Sequence, residues 1–329
     1  MKVVVPLMLT AVLAIVAWVG THYLGLYTLF GVIVPYAAFV CFLVGFVFRL
    51  IKWGRSAVPF CIPTTCGQQK TLPWIKQNKI DNPSSFAGVV KRMLLEVLVF
   101  RSLFRNAKTE KREEQLGIGS AKWLWLGALV FHWSMLIVVI RHLRLFLEPV
   151  PAPLVGIDVI DAFFQIGLPL LYLTDVFLVC ALTFLFLRRV VVPRMRYVSL
   201  LNDYFPLILL IGIAAAGILM RYVFRVDMVG VKEMTMGLVT LHPIVSPDIG
   251  AIFYIHLFLV CVLLAYFPWS KLMHAGGIFL SPTRNMANNS RMQRHVNPWD
   301  YKVKVHTYAE YEEEFKDKMV KVGLPLDAE

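Results

Sequence analysis

Four histidines set in two long apolar runs are the residues whose type and spacing could do chemistry. The first run, AKWLWLGALVFHWSMLIVVIRHLRLF, carries His132 and His142, ten residues apart. The second, PDIGAIFYIHLFLVCVLLAYFPWSKLMHAGG, carries His256 and His274, eighteen residues apart. Either run can cross a bilayer, which takes about 20 mostly apolar residues. A single imidazole in such a run is most often a hydrogen-bonded structural residue. Two on each of two helices, displaced toward opposite ends, can instead clamp one metal centre near each membrane face. Inside a bundle of four to six membrane helices, the usual occupant of two facing histidines is haem b, held through both axial positions. At a rise of about 1.5 Å per residue, the two spacings correspond to roughly 15 Å and 27 Å. Helix tilt or a kink at Pro268 has to absorb the difference.

The rest of the chain reads as the bundle that positions these rings. With 329 residues, 58% of them hydrophobic, 16% charged and a mean hydropathy of +0.66, it is not a soluble globular protein. The expected fold is an all-α integral membrane protein, a six-helix transmembrane bundle binding two haems b. Residues 1–50 supply helices one and two. The first, MKVVVPLMLTAVLAIVAWVG, has no small-x-small cleavage site and reads as an uncleaved span; the second runs from about Leu29 to Leu50. Residues 51–122 form a cytoplasmic section in which SSFAGVVKRMLLEVLVFRSLF is an amphipathic surface helix and NAKTEKREEQLGIGSAK an exposed loop. Residues 123–268 hold the dihaem core, with helices over 123–146, 162–187, Phe205–Val223 and Ile249–Phe267. EPVPAPLVGIDVID and residues 224–248 are its outer connections. Residues 269–329 extend helix six past Pro268 and end in a hydrophilic tail whose YAEYEEEFKDKMVK is an exposed, partner-docking helix.

The formal net charge of +12 does not point to nucleic acid. Of the 33 lysines and arginines, 28 fall in Met1–Lys2, 49–122, 188–203 and 269–329, and only Arg141, Arg144, Arg221, Arg225 and Lys232 lie on the other side. That asymmetry predicts a multi-pass inner-membrane protein in the lipid bilayer, both termini cytoplasmic. Helix three then runs outward and helix six inward. His142 with His256 would hold an outer haem, and His132 with His274 an inner one.

Several further side chains are candidates around this frame. Arg141 and Arg144 flank His142 and could pair with haem propionates, or simply mark a helix end. Asp175, near the middle of the expected helix four, is a proton-relay candidate or a hydrogen-bond partner of Thr174. With neither a GxGxxG nor a Walker loop, nucleotide chemistry is unsupported, and the electron partner within the membrane is a quinone. A quinol site needs an apolar cleft and a proton-accepting group. Asp158 and Asp161 lie on the outer side, though Asp161 also suits capping of helix four. His22, His242, His295 and His306 read as surface residues. Of the cysteines, Cys41, Cys180 and Cys261 are small apolar fillers. Cys61 and Cys66 are two thiols without the ligands for a zinc or iron–sulfur site.

The ten- and eighteen-residue histidine spacings resemble those of the cytochrome b (gamma) subunits of respiratory nitrate reductases. The stretch IPTTCGQQKTLPWIKQNKIDNP, residues 62–83, is similar to DsrM-type subunits of dissimilatory sulfite-reduction membrane complexes, a branch of the nitrate-reductase-gamma-like family. The resemblance runs over nearly the whole chain, to the tail around SPTRNMANNSRMQRHVNPW. It implies the same histidine pairing, menaquinol (menaquinone) as substrate, and a DsrK-type cytoplasmic iron–sulfur subunit related to heterodisulfide reductase. It also implies a periplasmic multihaem cytochrome c, a periplasmic iron–sulfur protein and a second membrane subunit. The alternatives are a gamma-type cytochrome b anchor of another respiratory reductase and a haem-free membrane anchor.

Overall fold

The computed structural model describes residues 2–56, 67–112, 115–162, 170–245, 247–281, 284–289, 302 and 305–327. Among them are five helices long and apolar enough to cross a membrane: Val4–His22, Leu29–Gly54, Lys122–Leu145, Leu201–Phe224 and Ala251–Trp269. Their regular α-helical parts are α1 (Val4–His22), α2 (Val34–Gly54), α5 (Lys122–His142), α9 (Leu201–Ile218) and α11 (Ala251–Tyr266); between α2 and α5 lie α3 (Phe86–Val99) and α4 (Arg101–Phe104). α11 packs on α1, α2 and α9, and a further helix, α7 (Leu173–Val191), joins α9 to α5. Two small residue groups tie the middle together: Leu178, Leu182 and Leu210 between α7 and α9, and Leu209, Ile213 and Leu259 between α9 and α11. Large apolar side chains such as Leu7, Val12, Val40, Val44 and Phe177 point outward and are exposed. An aqueous protein would bury such a surface; hydrocarbon solvates it.

α7 starts later than the sequence suggests. Residues 163–169 of the expected helix four lie outside the described residues, and the helix begins at Leu173, so Asp175 stands in its first turn rather than near its middle. The start is fixed by a carboxylate from upstream: Asp161 Oδ1 accepts the Thr174 backbone N–H at 2.9 Å and Oδ2 the Thr174 hydroxyl at 2.6 Å. Asp161 thus satisfies donors that a helix start leaves unpaired, although it belongs to another helix, α6 (Ala152–Asp161).

Three connections carry more structure than their sequences suggest. The connections expected on the outer side contain α6 and α10 (Met228–Val239), the latter capped by Asp227, whose carboxylate accepts the Val229 and Gly230 N–H groups. The charged loop after α4 is a β-hairpin, β1 (Ala107–Arg112) antiparallel to β2 (Gln115–Ser120), with Thr109 opposite Ile118. Its lysines and arginines mask a period-two pattern in which Leu116 and Ile118 stand on one face. Beyond α11 the chain does not continue as a straight extension. It breaks into short 3₁₀ turns at Phe267–Trp269 and Lys271–Met273 before α12 (His274–Gly277). Pro268 cannot continue the α-helical ladder, and it sits against Gly45, where a Cβ would come within 2.8 Å of the proline ring. The short helix α8 (Pro193–Val198) and the tail helix α13 (Tyr308–Lys321) complete the set; α13 opens on a Thr307–Glu310 capping box.

The expected surface helix is α3, with Ser85 as its N-cap. At its other end the indole N–H groups of Trp125 and Trp133 donate to the carbonyls of Val99 and Leu98, at 2.7 and 3.0 Å. The helix end is therefore fastened to α5, and Phe100, in a left-handed conformation (φ 51°), meets the His132 ring edge-on at 4.9 Å.

Candidate functional site

The four histidines fall into two facing pairs. His142 at the end of α5 lies 6.4 Å, centre to centre, from His256 of α11, with the ring planes 12° apart. His132, within α5, lies 6.0 Å from His274 of α12, with planes 83° apart. The break after Pro268 is what lets both pairs close, because it folds back a spacing that a straight helix would stretch past the inner partner.

Each ring is held the same way. His132 Nδ1 bonds the Ala128 carbonyl and His142 Nδ1 the Val138 carbonyl, both at 2.7 Å. His256 Nδ1 bonds the Ile213 carbonyl at 3.0 Å, and His274 Nδ1 the Lys271 carbonyl at 2.8 Å. A carbonyl only accepts, so Nδ1 carries the proton and Nε2 is left as a lone-pair donor. That is the tautomer a metal requires, fixed by the kind of backbone partner found behind metal-bound imidazoles. A metal–imidazole bond is about 2 Å long, so two rings gripping one atom from opposite sides have centres about 6 Å apart. Both pairs match that separation. Among the described residues no group of three or more metal-ligating side chains occurs; each facing pair offers two lone-pair donors, the number that axial coordination of haem uses. The residues fit the group.

Beside His142 lies an ionic cluster that gathers all the other candidates. Arg141 is buried; its guanidinium meets Asp161 Oδ2 at 2.5 Å, Asp158 Oδ1 at 3.2 Å and Asp175 Oδ1 at 3.5 Å. It also donates to the Thr174 hydroxyl at 3.0 Å and lies over the Tyr172 ring, 3.3 Å from its centre. Arg144 takes the other oxygen of Asp158 at 2.8 Å. In this structure Arg141 therefore faces carboxylates of its own chain, and Thr174, one of the alternative partners expected for Asp175, donates to Asp161 instead.

Residues not singled out from sequence complete the cluster. A π-helical turn, Leu219–Phe224, follows α9 and aims Tyr222 and Arg221 back at the start of α7. The Tyr222 hydroxyl donates to Asp175 Oδ2 at 3.0 Å and accepts the Tyr172 backbone N–H at 3.2 Å. Arg221 donates to the Leu170 carbonyl and stacks on Tyr172. The signal available in sequence was an arginine and a tyrosine together at the end of an apolar run.

Of the remaining expectations, His22 stacks on Trp18, and His242 Nδ1 bonds the Thr240 carbonyl. His295, Cys61 and Cys66 lie outside the described residues. Cys41, Cys180 and Cys261 are free thiols. On the far side from Arg141, the loop 67–83 is knitted to α4 through Asp81 with Arg101 and Arg105, and to the 284–289 segment through Asn82 and Pro83 with Asn288.

Comparison with known proteins gives a consistent match. The profile described as nitrate reductase gamma subunit matches residues 90–295, a span that includes all four histidines and the whole ionic cluster. A curated protein of Archaeoglobus fulgidus, called Hdr-like menaquinol oxidoreductase cytochrome b-like subunit, is 47% identical over 279 residues, 83% of either chain. The protein of the same description from Archaeoglobus profundus is 40% identical over 274 residues, 81% of either chain.

Proposed function

The chain belongs to the nitrate reductase gamma subunit family, and on that premise we propose that it is a dihaem cytochrome b subunit taking electrons from menaquinol. It would pass them to a cytoplasmic iron–sulfur subunit related to heterodisulfide reductase. One observation carries the reading: two facing histidine pairs at two levels of one helical bundle, each ring with Nδ1 committed to backbone. The printed description of the two Archaeoglobus relatives supports the quinol side of it.

His142 and His256 would hold one haem b, His132 and His274 the other. Bound there, haem b supplies a one-electron couple whose potential is set by axial ligands, burial and nearby charge. The chain's own residues do the rest. The Nδ1 bonds fix each imidazole before metal binding. The excess of lysine and arginine near the His132–His274 end supports a cytoplasmic side for that pair and an outer side for the Arg141 cluster. α7 serves as the sixth crossing: its charges, Asp175, Arg188 and Arg189, lie in its first and last turns, where side chains can reach the interface. The termini then both face the cytoplasm. Arg144, about a third exposed, has reach for a propionate, whereas Arg141 organises the carboxylates.

In this reading menaquinol is oxidised at the outer end, beside Asp158, Asp161 and Asp175, and electrons run inward along the two pairs. The resemblance to DsrM-type subunits supports a role in sulfite or sulfur metabolism and the additional partners named above. The test is a reduced-minus-oxidised absorbance spectrum of the purified chain with haem titration. Two b haems per chain are expected, and one each in His142→Ala and His274→Ala. A wild-type chain without haem overturns the reading.

A further inference from the structure

We propose that Asp175, positioned by the Tyr222 hydroxyl, is the group that accepts the proton of the quinol at the His142–His256 end. The inference rests on the menaquinol reading above and assigns the proton chemistry of that site to one carboxylate among three.

The three aspartates at Arg141 differ in how they are held. Asp161 is 4% exposed, and its two oxygens accept from the Arg141 guanidinium, the Thr174 hydroxyl and the Thr174 N–H. Asp158 bridges two guanidinium groups, Arg141 on one oxygen and Arg144 on the other. Both oxygens of each are thus committed to guanidinium or helix-start donors. Asp175 is looser. Its nearest cation, Arg141, is 3.5 Å away, its other oxygen accepts the Tyr222 hydroxyl, and its side chain, 17% exposed, is about as open as that of Asp158 at 22%.

The element presenting Tyr222 is unusual. The turn Leu219–Phe224 is π-helical and ends on Arg225 in the left-handed region (φ 49°). Such insertions occur frequently at functional sites. Just before this turn, Gly217 lies against His256, where a Cβ would stand 3.3 Å from the ring. Arg141, which reaches Asp175 from the other side, is the chain neighbour of His142. The Tyr222–Asp175 pair is thus built between the supports of both outer rings. The charged and titratable groups around it are Arg141 and His142 from α5, Arg144 from the 3₁₀ turn that follows it, and Asp158 and Asp161 from α6. Tyr172 precedes α7, Arg221 belongs to the π turn and His256 to α11.

Oxidation of a quinol to a quinone releases two electrons and two protons. In the proposed step a quinol O–H bond breaks toward an Asp175 oxygen, the carboxylate becomes the acid, and one electron leaves to the redox centre at the histidine pair. The acid discharges to outer water, and the second proton and electron follow by the same route. Tyr222 is a positioning residue: its hydroxyl orients the carboxylate.

The experiment uses the haem-loaded full chain and a water-soluble naphthoquinol. Haem reduction is followed by stopped flow across pH, and the redox-induced infrared difference spectrum is recorded. Wild type is expected to show a protonated-carboxyl band and a rate that falls in acid. In D175N the band is lost and the rate falls about 10²-fold or more, with haem absorbance unchanged. D175E is expected to restore the rate in part and shift the band. Y222F is expected to slow the rate and shift the protonated-carboxyl band, since the carboxylate loses a donor that orients it. Wild-type reduction with a D175N that keeps both rate and band overturns this inference alone. A wild type that the naphthoquinol leaves oxidised overturns the quinol reading, and this inference with it. Should D175N fail to retain haem, Y222F decides: a rate profile and band identical to wild type overturn the assignment.

Discussion

The imidazole of His142 lies within 12° of parallel to that of His256, their centres 6.4 Å apart. The rings of His132 and His274 meet nearly at right angles, 83°. Axial imidazole planes that are parallel split the two iron dπ orbitals; perpendicular planes leave them almost equal in energy. The oxidised, haem-loaded chain is therefore expected to give two low-spin ferric signals in electron paramagnetic resonance, one rhombic and one strongly anisotropic. His142→Ala should remove the rhombic signal and leave the other. Two rhombic signals would contradict this assignment of ring orientations.

Among the described residues, Arg141 is the only guanidinium that meets all three of Asp158, Asp161 and Asp175. Its removal leaves Asp161, 4% exposed, as a buried charge without its partner, a situation that costs about 3–5 kcal/mol. Arg141→Ala is expected to lower the thermal midpoint and loosen the α6–α7 junction. Arg141→Lys should not restore it, because a point charge cannot replace a fork spanning several acceptors. Thermal unfolding in detergent, followed by circular dichroism, measures both; an unchanged midpoint in Arg141→Ala would count against the cluster as a structural hub.

Gly217 offers a steric probe of one pair alone. A Cβ there would lie 3.3 Å from His256 Cε1 and 3.6 Å from its Nδ1, and the ring is tethered to Ile213 O, so it cannot yield freely. Gly217→Val is expected to displace His256 and diminish the outer signal while the inner signal survives. Equal loss of both signals would instead indicate collapse of the bundle.

Asp81 makes the anchoring of the 67–83 loop sensitive to acid. Burial alone would raise its carboxyl, but hydrogen bonds from Arg101, Arg105 and Asn78 outweigh that and hold it below the ordinary aspartate value. A lowered folded value means the stabilisation is complete above the unfolded pKa of about 3.9. It disappears as pH falls through the lower folded value. Both arginines are partly exposed, so the contribution is about 1 kcal/mol or less. Asp81→Asn is expected to speed amide exchange in residues 67–83 at neutral pH and leave the exchange of α5 and α11 unchanged.

Much of the site was legible in the chain because helix periodicity and charge asymmetry are strong signals. Two apolar runs with offset histidines imply two levels, and the distribution of lysine and arginine implies which ends meet. Pro268 was visible as a break, although its effect, turning the segment before His274, depends on the close seat against Gly45 and could not be read. Asp175 was assigned too deep a position because the boundary of its helix is set by Asp161, thirteen residues away in sequence. Tyr222 escaped notice for a geometric reason: a π turn inserts a residue, so side chains beyond it rotate off the face that a 3.6-residue count assigns them. The hairpin at 107–120 was hidden by charge, since polar strands alternate without an apolar marker on both faces.

The interruption after Pro268 also divides the molecule mechanically. His256 rides on the same long helix as the bundle's core, but His274 rides on a short turn that leads within fourteen residues to Asn288, which is hydrogen-bonded to Asn82 and Pro83 of the 67–83 loop. Both rings of the His142–His256 pair are thereby carried by long helices, whereas the His132–His274 pair has one ring mounted on a joint whose far lever is that loop.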